Sequence, residues 1–306
     1  MASAAIALTW LKAMRPGFHT VGVAPFILGT VIAVHSGHPW NGPVFCLGLT
    51  TVILIMLATY LLGEYFDYEG DAINRSYNRF SGGSRAFQGA QGLSPRLALY
   101  GGASAAALAV LTGLCLLLYY RPGPLVLPLG TFGFVSGVFY STKPFRWVEK
   151  GIGELLIGIC YGWLPVNTGF YLLAGKLTLT PTLVSMPIAF SITAVILINE
   201  FPDLEADRLT AKKNLVVRLG PEAAIRLYAG ILLLAALTLA YNVLLTPSWT
   251  LAALCLAVAA LVAINLVYIT RKQYIDPRIL EQICGTTLAV NLLISTTCTA
   301  YYLFSF

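Results

Sequence analysis

Nine long stretches of apolar residues, separated by short polar segments, dominate the sequence. Each stretch is close to the roughly 20 residues that an α-helix needs to cross the hydrocarbon core of a bilayer. The stretches cover 18–36, 43–63, 97–119, 123–141, 152–173, 181–200, 222–244, 249–270 and 280–304. The pattern predicts an all-α integral membrane protein with nine transmembrane helices, in one domain covering 1–306.

The composition agrees with this prediction. Of the 306 residues, 58% are hydrophobic and only 10% are charged, and the mean hydropathy is +0.78. Soluble proteins carry roughly 25% charged residues. We attribute the formal net charge of +6 to membrane topology and to contact with anionic lipid headgroups. Membrane lipid is therefore an expected partner, and nucleic acid is not.

The charges also predict an orientation. If the N-terminus is cytoplasmic, all but Arg121 and Lys176 of the 19 Lys and Arg residues fall on the cytoplasmic side. Cytoplasmic loops carry this excess in membrane proteins. All 13 acidic residues lie in or beside the same segments. The preference of Lys and Arg for cytoplasmic loops does not predict this, because acidic residues contribute little to membrane orientation. We therefore expect a chemical site at the cytoplasmic face.

Two acidic pairs mark that site. Asp67 and Asp71 follow the second apolar stretch, and Asp203 and Asp207 follow the sixth with the same spacing. On a helix, residues four apart share one face. Ionisable groups beside hydrocarbon are costly and by default indicate a functional site. Between the pairs, the polar segment 71–95 is long enough to be a lid or a binding loop.

Converging carboxylate pairs repel each other unless a cation lies between them. Magnesium fits best, because it takes carboxylate oxygens and usually bridges to substrate phosphates. Neighbouring Lys and Arg side chains would complete a diphosphate clamp. This chemistry suits an allylic diphosphate whose hydrocarbon tail lies in the bilayer.

The two Asp-x-x-x-Asp motifs, the intervening Tyr140-Ser-x-x-Pro144 segment and the nine predicted helices together resemble the UbiA superfamily of intramembrane prenyltransferases. The resemblance implies a nine-helix bundle around a central cavity that opens to lipid. It also implies magnesium and a polyprenyl diphosphate under a cytoplasmic cap. The isoprenyl group would pass to a lipophilic acceptor, most often an aromatic ring.

The resemblance also implies roles for individual residues. Lys143 and Arg146 would contact diphosphate, and Asn199 would orient the second pair. Aromatic residues near the membrane edge are either interfacial or line the cavity and stabilise a carbocation with their rings, and Tyr140 is our candidate for the second role. The expected magnesium ligands are Asp67, Asp71, Asp203 and Asp207. Further candidates for the diphosphate clamp are Arg75, Arg85, Lys212 and Lys213.

The sequence departs from the family pattern at one position. The first motif commonly begins with Asn four residues before its first Asp, and this position is Gly63 here. Glu64 and Asn78 are candidates to take the place of that Asn. A scaffold that binds prenyl lipid without catalysis is the alternative that Gly63 leaves open.

The second motif and its tail, NEFPDLEADRLTAKKNLVVRLG, and the segment FSGGSR look similar to the branch that prenylates dihydroxynaphthoate for menaquinone. An aromatic quinone precursor is therefore the expected acceptor. The alternatives are a 4-hydroxybenzoate prenyltransferase, an archaeal-type glyceryl phosphate lipid synthase and a membrane transporter. A transporter would place ionisable residues near the membrane centre. In this sequence, no acidic residue lies in the half of the predicted membrane region that faces away from the cytoplasm. The oligomeric state is open.

Overall fold

A computed structural model describes residues 2–88 and 94–305, with side chains from residue 6 onward. Every regular element in these residues is a helix. Part of the predicted lid, 89–93, lies outside the described residues. The helices are α1 Ala2–Met14, α2 Thr20–His35, α3 Gly42–Phe66, α4 Tyr68–Ile73, α5 Arg96–Cys115, α6 Val126–Val138, α7 Gly153–Gly158, α8 Leu164–Ala174, α9 Leu179–Asn199, α10 Leu204–Leu209, α11 Leu215–Leu219, α12 Pro221–Leu245, α13 Trp249–Thr270 and α14 Pro277–Phe304.

Two helices continue through wider, π-helical turns. Leu116–Tyr120 extends α5, and Ile159–Trp163 joins α7 to α8 into one continuous stretch. The prediction of an all-helical membrane bundle is confirmed. Within the described residues, eight helical stretches are long and apolar enough to cross a membrane.

The predicted helix at 123–141 differs from the others. It forms as α6, which has 13 residues and is therefore about 20 Å long. This length is less than the hydrocarbon thickness of roughly 30 Å. At the N-terminus, α1 and α2 together form a single candidate span, Ile6–His35. The residue after α1, Arg15, turns the chain with a φ of 48°.

Glycines bring several helices unusually close. A Cβ atom at Gly29 of α2 would overlap the backbone of Val166 in α8, and one at Gly162 would overlap Ala189 in α9. Helices in lipid associate largely through such close packing of small residues. These contacts hold α2 against α8, and the turn Ile159–Trp163 against α9.

A mainly apolar cavity of about 240 Å³ lies inside the bundle. It is lined from α2, α3, α5, α6, α8 and the turn Ile159–Trp163. Thr59, Gly137 and Tyr161 lie towards the end of the bundle that carries both aspartate motifs, which we call the site end. Tyr171 lines the cavity towards the opposite end, where its hydroxyl accepts a hydrogen bond from the Leu125 amide at 3.0 Å.

Candidate active site

Each aspartate motif forms a turn between a membrane helix and a short helix. Asp67 follows α3 and precedes α4, and Asp203 lies between α9 and α10. The short helices α4 and α10 lie against each other at the site end. All four aspartates therefore line one polar cavity of about 170 Å³. Its lining also includes Asn74, Arg146, Glu149 and Lys212.

The first pair receives few hydrogen bonds. Ser141 donates its hydroxyl hydrogen to Asp67 at 3.0 Å, and Arg146 Nη2 lies 3.4 Å from the same carboxylate. Arg146 Nη2 also forms an ion pair with Glu149 Oε1, at 2.7 Å. Among the described residues, no donor reaches the Asp71 carboxylate. Gly83 passes so close to Asp71 that a Cβ atom there would overlap the carboxylate.

The second pair is more closely held. Asn74 Nδ2 donates to Asp203 at 2.7 Å, and the Gly82 amide donates to the other oxygen at 3.2 Å. Asn214 Nδ2 donates to Asp207 at 2.7 Å, and Lys212 Nζ lies 3.5 Å from Asp207. Because Asn74 and Gly82 belong to the segment after the first motif, that segment links the two motifs directly.

The cavity is short of positive charge. Burial and the nearby Asp67 and Glu64 raise the pKa of Asp71 to about 7. Burial raises the pKa of Asp207 to about 6 although Lys212 opposes the change. Burial also lowers the pKa of Lys212, but the three carboxylates around it, led by Asp67, outweigh this and raise the pKa overall. An added cation would therefore relieve the repulsion among these aspartates.

The donor set fits magnesium. Carboxylate oxygens are the ligands that this ion prefers, and it usually binds through one or two of them together with water and phosphate oxygens. Among the described residues, no three acidic, His or Cys side chains are grouped closely enough to form a complete protein site. Each pair would thus supply part of a coordination shell and leave the rest to water and to oxygens of a bound ligand.

The segment 74–88 covers part of the site. The Ser84 amide donates to Glu64 at 2.8 Å, and Arg15 forms a 3.1 Å ion pair with the same carboxylate. Arg85 donates to the Asn74 carbonyl at 3.1 Å and stacks on the ring of Tyr77 at 3.9 Å. Arg85 therefore holds this segment in place and does not line the polar cavity.

Other predicted clamp residues also lie outside the cavity. Lys143, Arg75 and Lys213 are exposed, and none of them is part of the cavity lining. Asn199 is 7% exposed, and its Oδ1 atom has no hydrogen-bond partner among the described residues. The cations that the structure brings to the aspartates are Lys212 and Arg146.

Gly63 leaves room for a side chain. A Cβ atom there would lie 3.7 Å from Ser141 Oγ and 3.9 Å from Asp67 Oδ2, which are ordinary contact distances. Glu64 is engaged with Arg15 and Ser84. The residue that contacts Asp67 next to Gly63 is Ser141, which the sequence analysis did not assign.

The sequence motifs did not single out Asn74 and Asn214, nor the buried acids Glu154 and Glu200, which are 1% and 6% exposed. Glu154 and Glu200 lie within predicted spans, and ionisable residues inside a span are functional candidates by default. That signal was present in the sequence. No comparable signal marks Asn74 or Asn214, because their contacts depend on how two polar segments fold over the site.

Comparison with known proteins agrees with the predicted family and fold. The UbiA prenyltransferase family matches residues 22–279. The 1,4-dihydroxy-2-naphthoate octaprenyltransferase of Bacillus subtilis (strain 168) is 27% identical over 70% of this chain and 67% of its own length. The enzyme of the same name from Escherichia coli (strain K12) is 29% identical over 73% of this chain and 72% of its own length.

Solved structures match the fold over almost the whole chain. An apo UbiA homolog from Aeropyrum pernix K1 has a TM-score of 0.67 and 16% identity, covering 91% of this chain and 96% of that one. A UbiA homolog from Archaeoglobus fulgidus bound to GPP and Mg²⁺ has a TM-score of 0.65 and 15% identity, covering 95% of this chain and 99% of that one. The chain therefore belongs to the UbiA prenyltransferase family, and the protein is a membrane enzyme that transfers prenyl groups.

Proposed function

We propose that the protein transfers an isoprenyl group from an allylic polyprenyl diphosphate to an aromatic acceptor, 1,4-dihydroxy-2-naphthoate, with magnesium as cofactor. The observation that carries the proposal is the convergence of Asp67, Asp71, Asp203 and Asp207 on one polar cavity with Lys212 and Arg146. The names of the bacterial relatives support this acceptor, and the magnesium-bound family structure supports the cofactor.

In this proposal the four aspartates hold magnesium, which when bound neutralises charge on the diphosphate. Lys212 and Arg146 contact diphosphate oxygens and stabilise the negative charge that develops as the C–O bond breaks. The apolar cavity between α2, α3, α5, α6 and α8 holds the prenyl tail. The segment 74–88 limits the access of water to the cation that forms.

We further propose that the site end faces the cytoplasm. The segments on that end hold all but Arg121 and Lys176 of the 19 Lys and Arg residues, as expected for cytoplasmic loops. Cysteine labelling with a membrane-impermeant reagent tests this orientation. A cysteine introduced at exposed Lys213 should be protected in sealed, right-side-out vesicles, and one introduced at Lys176 should react.

The test of function is a transfer assay on purified protein with labelled geranylgeranyl diphosphate. Dihydroxynaphthoate and 4-hydroxybenzoate compete as acceptors, with and without magnesium. A prenylated, decarboxylated naphthoquinol that forms only with magnesium is the expected product. A prenylated benzoate would keep the reaction class and change the acceptor. Transfer to neither acceptor would contradict an aromatic substrate.

A further inference from the structure

A second pocket lies at the site end, between α1 and the segment 74–88. Its volume is about 380 Å³, and it shares no lining residue with the polar cavity. Within the described part of the chain, four cationic side chains and no acidic one line this pocket, which we call the cationic pocket. The four are Lys12, Arg15, Arg79 and Arg85. Phe18 and Tyr77 add aromatic walls. The lining is therefore complementary to an anionic group on a partly apolar molecule.

Two of the four cations have acidic partners. Arg15 forms a 3.1 Å ion pair with Glu64, whose side chain is buried. Arg79 lies 3.2 Å from Glu281, but this pair is exposed to solvent. Exposed ion pairs contribute little, so Arg79 can exchange its partner easily. Arg15 is the one cation of the pocket that is firmly neutralised.

The other two cations have no acidic partner among the described residues. Lys12 is exposed, and its side chain forms neither an ion pair nor a hydrogen bond with any of them. Arg85 donates to the Asn74 carbonyl at 3.1 Å and stacks on Tyr77, but it meets no carboxylate. Lys12 belongs to α1 and Arg85 to the segment 74–88. An anion between them would therefore be bound from both walls of the pocket.

An apolar stripe on α1 leads into the pocket. Leu8, Leu11 and Lys12 are three and four residues apart and share one face of the helix. Leu8 and Leu11 are exposed, and Leu11 lines the pocket. The opposite face of α1 packs on the bundle, with Ala13 in contact with Leu61 of α3. Exposed apolar residues beside cations are typical of a helix at the membrane interface.

The pocket also lies at the membrane boundary and beside the reaction site. The candidate span Gly42–Phe66 ends here, and Glu64 belongs to its last turn. Lipid headgroups occupy this boundary. Gly83 lines the pocket, and its backbone passes so close to Asp71 that a Cβ atom would overlap the carboxylate. One backbone segment thus separates the cationic pocket from the polar cavity.

We propose that the cationic pocket binds the phosphate of one anionic phospholipid, whose acyl chains lie along Leu8 and Leu11. The phosphate oxygens accept hydrogen bonds from Lys12 and Arg85, as charge-assisted pairs of this kind do. The lipid joins α1 to the segment 74–88 and holds that segment over the polar cavity. The identity of the prenyl acceptor does not enter this inference.

The test measures how tightly purified protein in neutral detergent retains phosphatidylglycerol and phosphatidylcholine, by native mass spectrometry. Wild-type protein should retain one phosphatidylglycerol in preference to phosphatidylcholine. Lys12→Gln should bind phosphatidylglycerol at least about fivefold more weakly, as expected for one lysine beside an anionic headgroup. Lys12→Arg keeps the charge and should bind like wild type. Arg271→Gln, exposed at the end of α13, controls for the loss of one positive charge and should also match wild type.

Competition separates a lipid from a small anion. Glycerol phosphate has the same anionic group but no acyl chain, and dihydroxynaphthoate has a carboxylate on a ring. Neither should displace phosphatidylglycerol at equal concentration. Displacement by either compound would overturn the proposal and assign the pocket to small anions. Equal retention of the two phospholipids, or equal weakening by Lys12→Gln and Arg271→Gln, would also overturn it.

A second measurement needs no variant. Hydrogen exchange of the backbone amides in 77–85 is compared for wild-type protein in bilayer discs of phosphatidylcholine alone and of equal parts phosphatidylcholine and phosphatidylglycerol. Exchange should be slower with phosphatidylglycerol, because the lipid holds the segment in place. Unchanged exchange would refute the link between α1 and the segment. Neither measurement depends on prenyl transfer, so failure of the proposed function and failure of this inference are distinguishable.

Discussion

The two aspartate pairs have the same spacing but are held in different ways. The second pair accepts hydrogen bonds from two asparagine side chains and one backbone amide, and Lys212 lies beside it. Among the described residues, the first pair is held only at Asp67, by Ser141 and Arg146. Asp71 receives no hydrogen bond from the part of the chain that the structure describes. The second pair is therefore preorganised for a ligand, whereas Asp71 is free to respond to one.

This difference indicates a division of labour. Neutral amide donors orient the oxygens of Asp203 and Asp207 without cancelling their charge, so the second pair can hold a cation in a fixed position. Asp71, with its pKa raised to about 7 mainly by burial, gains most from a cation that restores its ionised form. Three sets of variants and one pH measurement test this comparison.

Removing a carboxylate should have the largest effect. Asp67→Asn, Asp71→Asn, Asp203→Asn and Asp207→Asn should each lower kcat by about 10³-fold or more, because ionic stabilisation of the leaving group is worth several kcal/mol. Transfer assays at saturating magnesium check this, with Glu222→Gln, exposed on α12, as the control. Wild-type-like activity in any folded aspartate variant would refute the two-pair site.

Lys212 and Lys213, which follow the second motif, form a matched comparison. Lys212 lines the polar cavity and lies 3.5 Å from Asp207, whereas Lys213 is exposed. Lys212→Met should reduce transfer by about 10²-fold, as loss of one positioned electrostatic contact does. Lys213→Met should stay close to wild type. Equal losses would mean that net charge, and not the position of Lys212, matters.

The amide donors test preorganisation. Asn74→Ala and Asn214→Ala should raise the magnesium concentration that transfer requires by about 10- to 100-fold, as is typical when groups that orient metal ligands are removed. Ser141→Ala, on the first pair, should have a smaller effect because Arg146 still contacts Asp67. Magnesium titrations of the transfer rate provide the comparison, and a larger effect of Ser141→Ala would reverse the roles of the two pairs.

The pH dependence of stability should show the smallest effect. The pKa values of Asp71 and Asp207 are raised to about 7 and about 6. Metal-free folded protein thus binds protons more tightly than unfolded protein, and loses stability as pH rises from about 4 to about 7. The rise in melting temperature on adding magnesium should be larger at about pH 8 than at about pH 5, by a few degrees. If magnesium raised the melting temperature equally at both pH values, the result would contradict repulsion among the buried aspartates.

The sequence alone indicated most of the fold and the centre of the site. Apolar stretches predicted nine spanning helices, and the structure has eight that are long enough, because the stretch at 123–141 forms a shorter helix. The four-residue spacing of Asp67 with Asp71 and of Asp203 with Asp207 pointed to residues that line the polar cavity. The sequence did not separate the clamp candidates that line the cavity from those that lie outside it. Arg75, Lys143 and Lys213 share the charge and the neighbourhood of Lys212 and Arg146, and one-dimensional spacing does not separate them.

Hydrophobic length and carboxylate spacing are local properties, so the sequence by itself determined the membrane bundle and the pairing of the aspartates. Contacts between distant segments are different, because they depend on the path of the polar segments and on helix packing. Only the tertiary structure brought Asn74 to Asp203 and Asn214 to Asp207. In the same way, only the tertiary structure shows that Gly158 and Gly162 approach α9 closely.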